Sequence, residues 1–289
     1  MIYVICGPTG SGKTDTAHQL SKRLNCPIIN ADAFQIYKEM NIGTAKISKD
    51  DPFYGKYHLL DIVTPKEQYS VKRYQDDCRK VLDELVKKNQ DVILCGGTGL
   101  YIKAALYDYH FAEENEYDDS KFDDLDNDAL WNKLNEIDPE SATKIHKNNR
   151  KRVMRALAIY ENQNISKSEQ INQQEHKLIY KDVRFLFLNP SREEVYENIN
   201  KRVDTMIDQG LEKEVRNLLD KYQLSITAKE AIGYKEMIEY IEGKLSFEEA
   251  VKLIKQRTRN YAKRQVTFFK HQFACEEYSS KEDLLKAVK

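Results

Sequence analysis

The chain has 289 residues, of which 40% are hydrophobic and 32% are charged, a composition typical of a globular protein with a sizeable core. The 46 Lys and Arg residues almost balance the 47 Asp and Glu residues, so the net charge alone argues against nucleic acid, and no apolar run is long enough for a membrane span. The N-terminus has no basic-then-apolar leader, and the five cysteines include no C-x-x-C pair. We therefore expect a cytoplasmic protein with reduced thiols, no zinc site and no membrane partner.

A glycine-rich loop follows the first predicted strand, an apolar run over residues 2–6. The loop fits the phosphate-binding pattern G-x-x-x-x-G-K-[ST] without a mismatch, and the apolar spacing over 15–24 predicts a helix directly after it. Its residues are Gly7, Pro8, Thr9, Gly10, Ser11, Gly12, Lys13 and Thr14. In such loops the backbone N–H groups and the helix N-terminus bind phosphate, while Lys13 adds a charge and Thr14 is placed to bind Mg²⁺. The loop predicts a phosphorylated ligand but does not identify it.

Strands and helices alternate up to about residue 108. Further strands are predicted over 26–30, 57–63 and 91–95, with a helix over 71–88. This order predicts an α/β fold with a parallel β-sheet flanked by helices, in which ligands bind at the carboxyl ends of the strands. The glycine-rich loop, Asp32 and a second glycine turn over 96–99 all follow strands, so we expect them to meet in one crevice.

The alternation of strands and helices stops after about residue 108. We predict a mainly helical insertion over 110–180. It includes an acidic segment over 113–128, helices over 128–137 and 149–161, and a flexible connection over 162–175. A core strand over 183–188 follows, and helices are predicted over 191–209, 211–222, 228–241 and 246–271. Residues 1–109 and 181–289 are therefore predicted to form a P-loop catalytic core that the insertion interrupts.

Several polar and aromatic residues near the predicted crevice are candidates for chemistry. Asp32 follows the second strand, where a carboxylate serves as a water-linked Mg²⁺ ligand, a general base or a helix N-cap. Gln35 is suited to read the edge of a base or to lie on a surface turn, and Phe34 to stack on a base or to pack in the core. Thr98 stands between glycines, which favours contact with a ligand over capping of the next helix.

Two basic segments stand out against the neutral total charge. The first places three cations on one face of a predicted helix: Lys151, Arg152 and Arg155. The second runs over 255–270 and alternates aromatic residues with cations that include Arg259, Lys263 and Arg264. A basic helix is commonly a solvated face, but two of them flanking a phosphate site favour a polyanionic partner whose phosphates several cations neutralise together.

Taken together, these motifs resemble those of the tRNA dimethylallyltransferase family, also called tRNA isopentenyltransferases, in its bacterial form. The resemblance runs nearly from end to end, through the glycine-rich loop and segments 32–37, 43–46, 58–62, 96–101, 151–155, 202–204, 210–211, 231–236 and 258–265. The loop occurs in many nucleotide-binding proteins, whereas the ordered series is specific. Tyr57 and Phe268 depart from the family pattern, which has a histidine and a tryptophan at these places.

The resemblance implies transfer of a dimethylallyl group from dimethylallyl diphosphate to the exocyclic amine of the adenosine 3′-adjacent to a tRNA anticodon, with release of diphosphate. It implies that the glycine-rich loop, with Mg²⁺ on Thr14, holds the diphosphate, that Asp32 is the general base and that Thr98 orients the reacting groups. It assigns tRNA contacts to Asp32, Ala33, Phe34, Gln35, Thr98, Lys151, Arg152, Val153, Met154 and Arg155. It also implies phosphate contacts for four cations, without deciding which of the two substrates they bind: Lys235, Arg259, Lys263 and Arg264.

Three other functions fit parts of the same sequence. A transferase acting on free AMP, ADP or ATP would need no large basic insertion, so the helix that carries Lys151 and Arg155 speaks against it. A P-loop kinase or another ATP-binding enzyme would hold ATP in the glycine-rich loop. A non-catalytic RNA-binding module would not need the crevice. We expect the tRNA-modifying enzyme, and we expect it to be a monomer.

Overall fold

The computed structural model describes residues 1–109, 111, 122, 124–172 and 175–288. Two compact units are present, one formed by Met1–Ala105 with Tyr180–Lys289 and the other by Leu106–Ile179. Much of the predicted acidic segment over 113–128 lies outside the described residues. Within the described part, every helix is too short or too polar to cross a membrane.

A parallel β-sheet forms the centre of the first unit. Its strands are β1 (Ile2–Cys6), β2 (Ile28–Asn30), β3 (Tyr57–His58), β4 (Val92–Gly96), β5 (Val183–Leu188) and β6 (Glu276–Tyr278). They lie in the order β3-β2-β4-β1-β5-β6, and every neighbouring pair is parallel. The central strands β1 and β4 are apolar and buried along their whole length, as strands covered on both faces are. The predicted α/β fold with a parallel sheet is confirmed.

Helices make up most of the remaining described structure. In chain order they are α1 (Lys13–Leu24), α2 (Val71–Lys87), α3 (Gly99–Leu106), α4 (Asn127–Ile137), α5 (Pro139–Lys144), α6 (Arg150–Gln163), α7 (Lys167–Asn172), α8 (Arg192–Asp208), α9 (Leu211–Lys221), α10 (Ile226–Lys229), α11 (Tyr234–Ile241), α12 (Phe247–Gln272) and α13 (Lys281–Ala287). Serine hydroxyls cap the start of five of them, because each accepts a hydrogen bond from the first turn of the helix that follows: Ser70, Ser191, Ser225, Ser246 and Ser280. Phe269 of α12 packs on Phe187 of β5, with ring centroids 5.7 Å apart.

The predicted strand over 57–63 is wrong beyond residue 58. Leu59 and Asp61 have φ angles of 58° and 54°, and this left-handed conformation does not continue a strand. The carboxylate of Asp61 lies 2.5 Å from the buried ammonium of Lys46 and accepts a hydrogen bond from the Tyr54 hydroxyl at 2.7 Å. A buried polar cluster therefore bends the chain at a place where the apolar pattern predicts extended backbone.

Three further differences concern the helical half of the chain. The helix predicted over 228–241 is broken into α10 and α11, because Gly233 adopts a φ of 97° and donates its N–H to the Glu236 carboxylate at 2.7 Å. The predicted flexible connection over 162–175 contains α7. β6 and α13 occupy a region where no element is predicted, since an edge strand of polar residues carries no apolar alternation.

The second unit has a core of its own, formed mainly by the helices α4, α5 and α6. Its buried side chains include Phe122, Leu130, Leu134, Val153, Met154 and Leu157. Arg150, at the start of α6, donates to the carbonyl oxygens of Phe122 and Leu125, both at 2.6 Å. Arg150 therefore ties the start of α6 to the chain before α4.

Candidate active site

The glycine-rich loop connects the end of β1 to α1. Gly7 passes so close to β5 that a Cβ would lie 2.3 Å from the carbonyl oxygen of Leu188, and Gly12 enters α1 at a φ of 91°. Lys13 Nζ donates to the carbonyl oxygen of Pro8 at 2.7 Å, so the ammonium group lies across the loop. The first N–H groups of a helix have no acceptor within it, which leaves those of α1 available to an anion.

The second glycine turn holds the ends of β2 and β4 together. A Cβ on Gly96 would lie 2.2 Å from the backbone of Ala31, and the Thr98 N–H donates to the Ala31 carbonyl oxygen at 3.1 Å. The Thr98 hydroxyl oxygen accepts a hydrogen bond from the Ala33 N–H at 3.0 Å. Thr98 thus fixes the backbone on both sides of Asp32.

One side chain of α12 joins the two glycine turns. The buried amide of Gln265 accepts a hydrogen bond from the Thr9 N–H through Oε1 and donates to the Gly97 carbonyl oxygen through Nε2, both at 2.8 Å. The N–H of Thr9 is therefore engaged within the protein and is not part of a phosphate cradle. The ring of Phe268 packs against Gly99, where a Cβ would lie 2.3 Å from Phe268 Cδ1, so this aromatic side chain also supports the turn.

Asp32 has one committed and one uncommitted carboxylate oxygen. Its Oδ1 accepts hydrogen bonds from the N–H groups of Phe34 at 2.9 Å and Gln35 at 3.4 Å, so it caps a turn over 33–36, and no helix begins there. Its Oδ2 has no hydrogen-bond partner among the residues that the structure describes. The side chain lines a cavity of about 240 Å³. Capping therefore leaves Oδ2 able to accept a proton from a ligand.

The cavity is lined by both polar and apolar side chains. Thr9, Asp32 and Arg202 are among the polar ones, while Ile199, Val203 and Met206 of α8 and Ile254 of α12 supply apolar surface. Phe34 also lines the cavity and is only half-buried, so its ring is available to a planar ligand. A molecule with a charged head and a short hydrocarbon tail matches this combination.

Arg202 belongs to the site, although its role could not be assigned from the sequence. Its Nη1 donates to the Thr9 hydroxyl at 3.3 Å, and Asn198, one turn earlier on α8, donates to the Gly10 carbonyl oxygen at 3.0 Å. Burial lowers the pKa of Arg202, an effect that the negative charge of Asp32 partly offsets. The spacing of Asn198 and Arg202 on one helix face is a signal that could have pointed to a shared neighbour.

Burial also perturbs two other groups in the crevice. It lowers the pKa of Lys13 to about 8; the nearby charge of Arg202 acts in the same direction, and the charge of Asp32 against it. Burial, followed by the charge of Asp32, raises the pKa of Tyr261 to about 12. Lys13, Arg202 and Tyr261 therefore surround Asp32 closely enough to interact with its charge.

The residues present fit a Mg²⁺ ion that takes most of its ligands from elsewhere. Thr14 is exposed, and its hydroxyl accepts no hydrogen bond from the described residues. Those residues include no cluster of three or more His, Cys, Asp or Glu side chains. Mg²⁺ commonly binds through one or two protein oxygens and completes its shell with water and substrate phosphates, so the exposed Thr14 hydroxyl suits this kind of site.

A half-buried carboxylate holds the loop that forms another wall of the cavity. Glu214 accepts hydrogen bonds from the N–H groups of Asn41, Ile42 and Gly43 at 2.9–3.3 Å and from the Tyr234 hydroxyl at 2.6 Å. Gln35 Nε2 donates to the carbonyl oxygen of Thr44 in the same loop at 3.0 Å. The amide of Gln35 is thus tied to this wall, and its oxygen and second N–H are left to meet a ligand.

The four predicted phosphate contacts lie in different surroundings. Arg264 lines the cavity, with its guanidinium 5.7 Å from the centre of the Tyr261 ring. Lys263 is exposed beside Pro8 in a separate groove. Arg259 donates to Asn200 Oδ1 at 2.7 Å, and Lys235 forms an ion pair with Glu230 at 2.8 Å. Of the four, only Arg264 lines the cavity.

The basic helix of the second unit, α6, presents two distinct faces. Lys151, Arg152 and Arg155 are exposed. Val153 and Met154 are 0% and 8% exposed and belong to the core of the unit, so their side chains do not reach a surface-bound RNA. Burial lowers the pKa of Lys167 at the start of α7, and the charges of Arg152 and Arg155 lower it further. Lys167, which is half-buried, therefore lies near these cations, a neighbourhood that the sequence pattern does not reveal.

Comparison with known proteins gives one consistent family. The sequence profile of the IPP transferase family matches residues 35–272. A tRNA dimethylallyltransferase from Anoxybacillus flavithermus is 41% identical over 286 residues, which cover 98% of this chain and 92% of the relative. The crystal structure of a tRNA delta(2)-isopentenylpyrophosphate transferase from Staphylococcus epidermidis is similar with a TM-score of 0.71 and 35% identity, covering 99% of this chain and 96% of that one.

A structure of a eukaryotic dimethylallyltransferase acting on tRNA is also similar, with a TM-score of 0.79 and 29% identity over 98% of this chain and 74% of that one. Profile, sequences and folds agree over nearly the full length, and the resemblance drawn from the motifs is confirmed, as is the expectation of a transferase. The chain belongs to the IPP transferase family, whose curated bacterial members at about this level of similarity are tRNA dimethylallyltransferases.

Proposed function

We propose that this chain transfers a dimethylallyl group from dimethylallyl diphosphate to the exocyclic amine of the tRNA adenosine immediately 3′ of the anticodon, releasing diphosphate. One observation carries the proposal: a single cavity contains Thr9 of the phosphate loop, the carboxylate of Asp32 and the apolar faces of α8 and α12. The names of the relatives support the same donor and the same class of acceptor.

The donor's diphosphate would bind at the glycine-rich loop. Lys13 and Arg202 are the two cations closest to this loop, through Pro8 and Thr9 respectively, and both suit the negative charge that grows on the leaving group as the carbon–oxygen bond breaks. When bound at Thr14, Mg²⁺ would neutralise part of the phosphate charge. The hydrocarbon tail would then lie against the apolar side chains of α8.

The acceptor amine would meet Asp32 from the open side of the cavity. As the amine nitrogen bonds to the first carbon of the donor, it loses a proton, which Oδ2 of Asp32 accepts. Thr98 holds the backbone beside Asp32 and so orients this carboxylate. The target base must leave the anticodon stack to reach the cavity, and the ring of Phe34, with Ala33 and Gln35 beside it, is placed to hold a nucleotide.

Phosphates of the RNA would be bound by cations of both units. In the second unit these are Lys151, Arg152 and Arg155, which share the exposed face of α6. In the first unit, Arg264 at the cavity and Lys263 in its groove are more accessible to a phosphate than Arg259 and Lys235, which already have polar partners. Each of these four cations would bind a phosphate of the RNA or of the diphosphate donor.

A transfer assay tests the proposed reaction against its alternatives. Purified protein is offered dimethylallyl diphosphate, labelled in its hydrocarbon part, together with unmodified tRNA, with AMP or with ATP alone. We expect label in tRNA only, at a single adenosine located by nuclease digestion and mass spectrometry. Label in AMP but not in tRNA would instead identify a transferase acting on free nucleotides. Hydrolysis of ATP without transfer would indicate a P-loop nucleotidase, and RNA binding without any turnover would indicate a binding module.

Replacing both Lys151 and Arg155 by alanine is expected to weaken tRNA binding about tenfold or more at 0.1 M salt and to lower the salt slope of log K by about 1.5, because two phosphate contacts are lost. Filter binding of the anticodon stem-loop over a series of salt concentrations measures both quantities. Lys144→Ala with Lys177→Ala is the matched control, since it removes two exposed cations of the same unit that lie outside α6. Equal losses in the two double variants would remove α6 from the RNA site.

A further inference from the structure

The cavity beside Asp32 lies between two helices whose relative direction can be read from their polar contacts. Arg259 of α12 donates to Asn200 of α8 at 2.7 Å, and Lys255 lies 2.5 Å from the Asp204 carboxylate. A lower residue number on α12 therefore faces a higher one on α8, so the two helices run antiparallel along the cavity.

One end of these helices is fixed at the phosphate loop. On α8, Arg202 contacts Thr9, and Met206 lies four residues further on, about 6 Å along the helix axis. On α12, Gln265 contacts Thr9, and Ile254 lies eleven residues away toward the opposite end, about 16 Å along the axis. Met206 and Ile254 both line the cavity and are 8% and 1% exposed. They therefore supply apolar surface to the cavity at the end of these helices that is farther from the loop.

We propose that Met206 and Ile254 act as a stop that limits the hydrocarbon part of the donor to a single isoprene unit. This inference rests on the proposed function, because it takes the diphosphate to bind at the loop near Thr9 and Arg202. A tail that starts there and follows α8 passes Val203 and reaches Met206 within about one helical turn, a length comparable with that of one isoprene unit.

The size of the cavity supports a short donor. At about 240 Å³ it lies below the range of roughly 300–1,000 Å³ that holds drug-sized ligands. A geranyl donor has five more carbons than a dimethylallyl donor, and these would overlap the side chains of the stop. Buried side chains yield little to added volume, and Ile254 is β-branched with a restricted side-chain rotamer. Met206 is the more adaptable of the two and forms the more replaceable part of the stop.

The test is a change of donor preference. The ratio of kcat/KM for geranyl diphosphate to that for dimethylallyl diphosphate is measured with an anticodon stem-loop RNA, and the prenylated nucleoside is identified by mass spectrometry. Met206→Ala removes the side chain beyond Cβ and is expected to raise this ratio at least about tenfold over wild type. Met206→Leu keeps the volume and should hold the ratio within about twofold of wild type. Ile226→Ala, at a residue that is 69% exposed and outside the cavity, controls for general effects of substitution.

The outcomes separate this inference from the reaction on which it depends. A wild type that transfers no dimethylallyl group to RNA contradicts the proposed function. A wild type that does so, with an unchanged donor ratio in Met206→Ala and in Ile254→Val, overturns the stop alone. If Met206→Ala turns over neither donor, its affinities for geranyl diphosphate and dimethylallyl diphosphate are measured by calorimetric titration instead. A gain in relative affinity for geranyl diphosphate of about tenfold supports the stop, and equal losses for both donors contradict it.

Discussion

Asp32→Asn is expected to lower the single-turnover rate of dimethylallyl transfer more than ~100-fold while tRNA binding persists, because a positioned base contributes about 10²–10⁴-fold. Asparagine retains an oxygen that can accept the hydrogen bonds from Phe34 and Gln35, which Oδ1 of Asp32 accepts now. The substitution therefore removes the proton acceptor and keeps the cap. Rapid-quench kinetics with saturating donor and stem-loop RNA measure the chemical step.

Asp32→Ala is the companion variant, since it removes the cap together with the base. It should lose turnover to a similar degree and, in addition, lower the free energy of unfolding by about 1 kcal/mol, the usual net contribution of a hydrogen bond. Two results would reassign Asp32. Near-normal turnover in Asp32→Asn would leave Asp32 as a cap alone, and recovery of turnover at raised Mg²⁺ concentration would point to a metal ligand instead of a base.

The parts of the site that the sequence predicts are those set by local order along the chain. Lys13, Asp32 and Thr98 each follow a buried apolar strand by a few residues, and the carboxyl ends of parallel strands meet at one edge of the sheet. The fold class follows from the same alternation of strands and helices. Strand–turn–helix units of this kind are short enough for their residues to be read together.

The parts that the sequence does not predict depend on contacts between distant segments. Gln265 reaches Thr9 across 256 residues and Arg202 reaches it across 193, and no periodicity states which face of a late helix meets an early loop. The carboxylate of Glu214, which binds the loop over 41–43, is a further example, since it appears in the sequence as one of many helix-surface acids. For these residues, only the packing of α8, α9 and α12 against the sheet assigns a place.

The basic helix α6 shows where a pattern could have been read more closely. Val153, Met154 and Leu157 recur at helical spacing, which is the mark of a core-facing stripe, while the three cations lie between them on the other face. The interpretation of 151–155 as one RNA-contacting unit combined both faces. Lys167 lies near these cations but on the next helix, so helical spacing within one segment cannot reveal it.

Affinity for the donor is expected to fall as the pH rises through about 8, because burial has lowered the pKa of Lys13 from its ordinary 10.5 to about 8. Below this pH the ammonium is charged and can bind a phosphate oxygen; above it, each pH unit should weaken binding by up to about tenfold until the pKa of the complex is reached. Calorimetric titration with a non-reactive thiolo analogue of the donor, between pH 6.5 and 9.5, measures the effect apart from catalysis.

Lys13→Met is the control that isolates this side chain. At pH 7 it should bind the donor roughly 10- to 100-fold more weakly, since a charged hydrogen bond contributes about 1.5–3 kcal/mol, and its affinity should lose the fall above pH 8. The free energy of unfolding of the unliganded protein should change with pH in the opposite direction: the contribution of Lys13 should increase it as the pH rises. Between about pH 8 and 10.5 the unfolded chain binds the Lys13 proton and the folded chain does not, so this residue makes folding more favourable as the pH rises. Wild type and Lys13→Met with the same pH dependence of donor affinity would show that the ammonium does not hold the diphosphate.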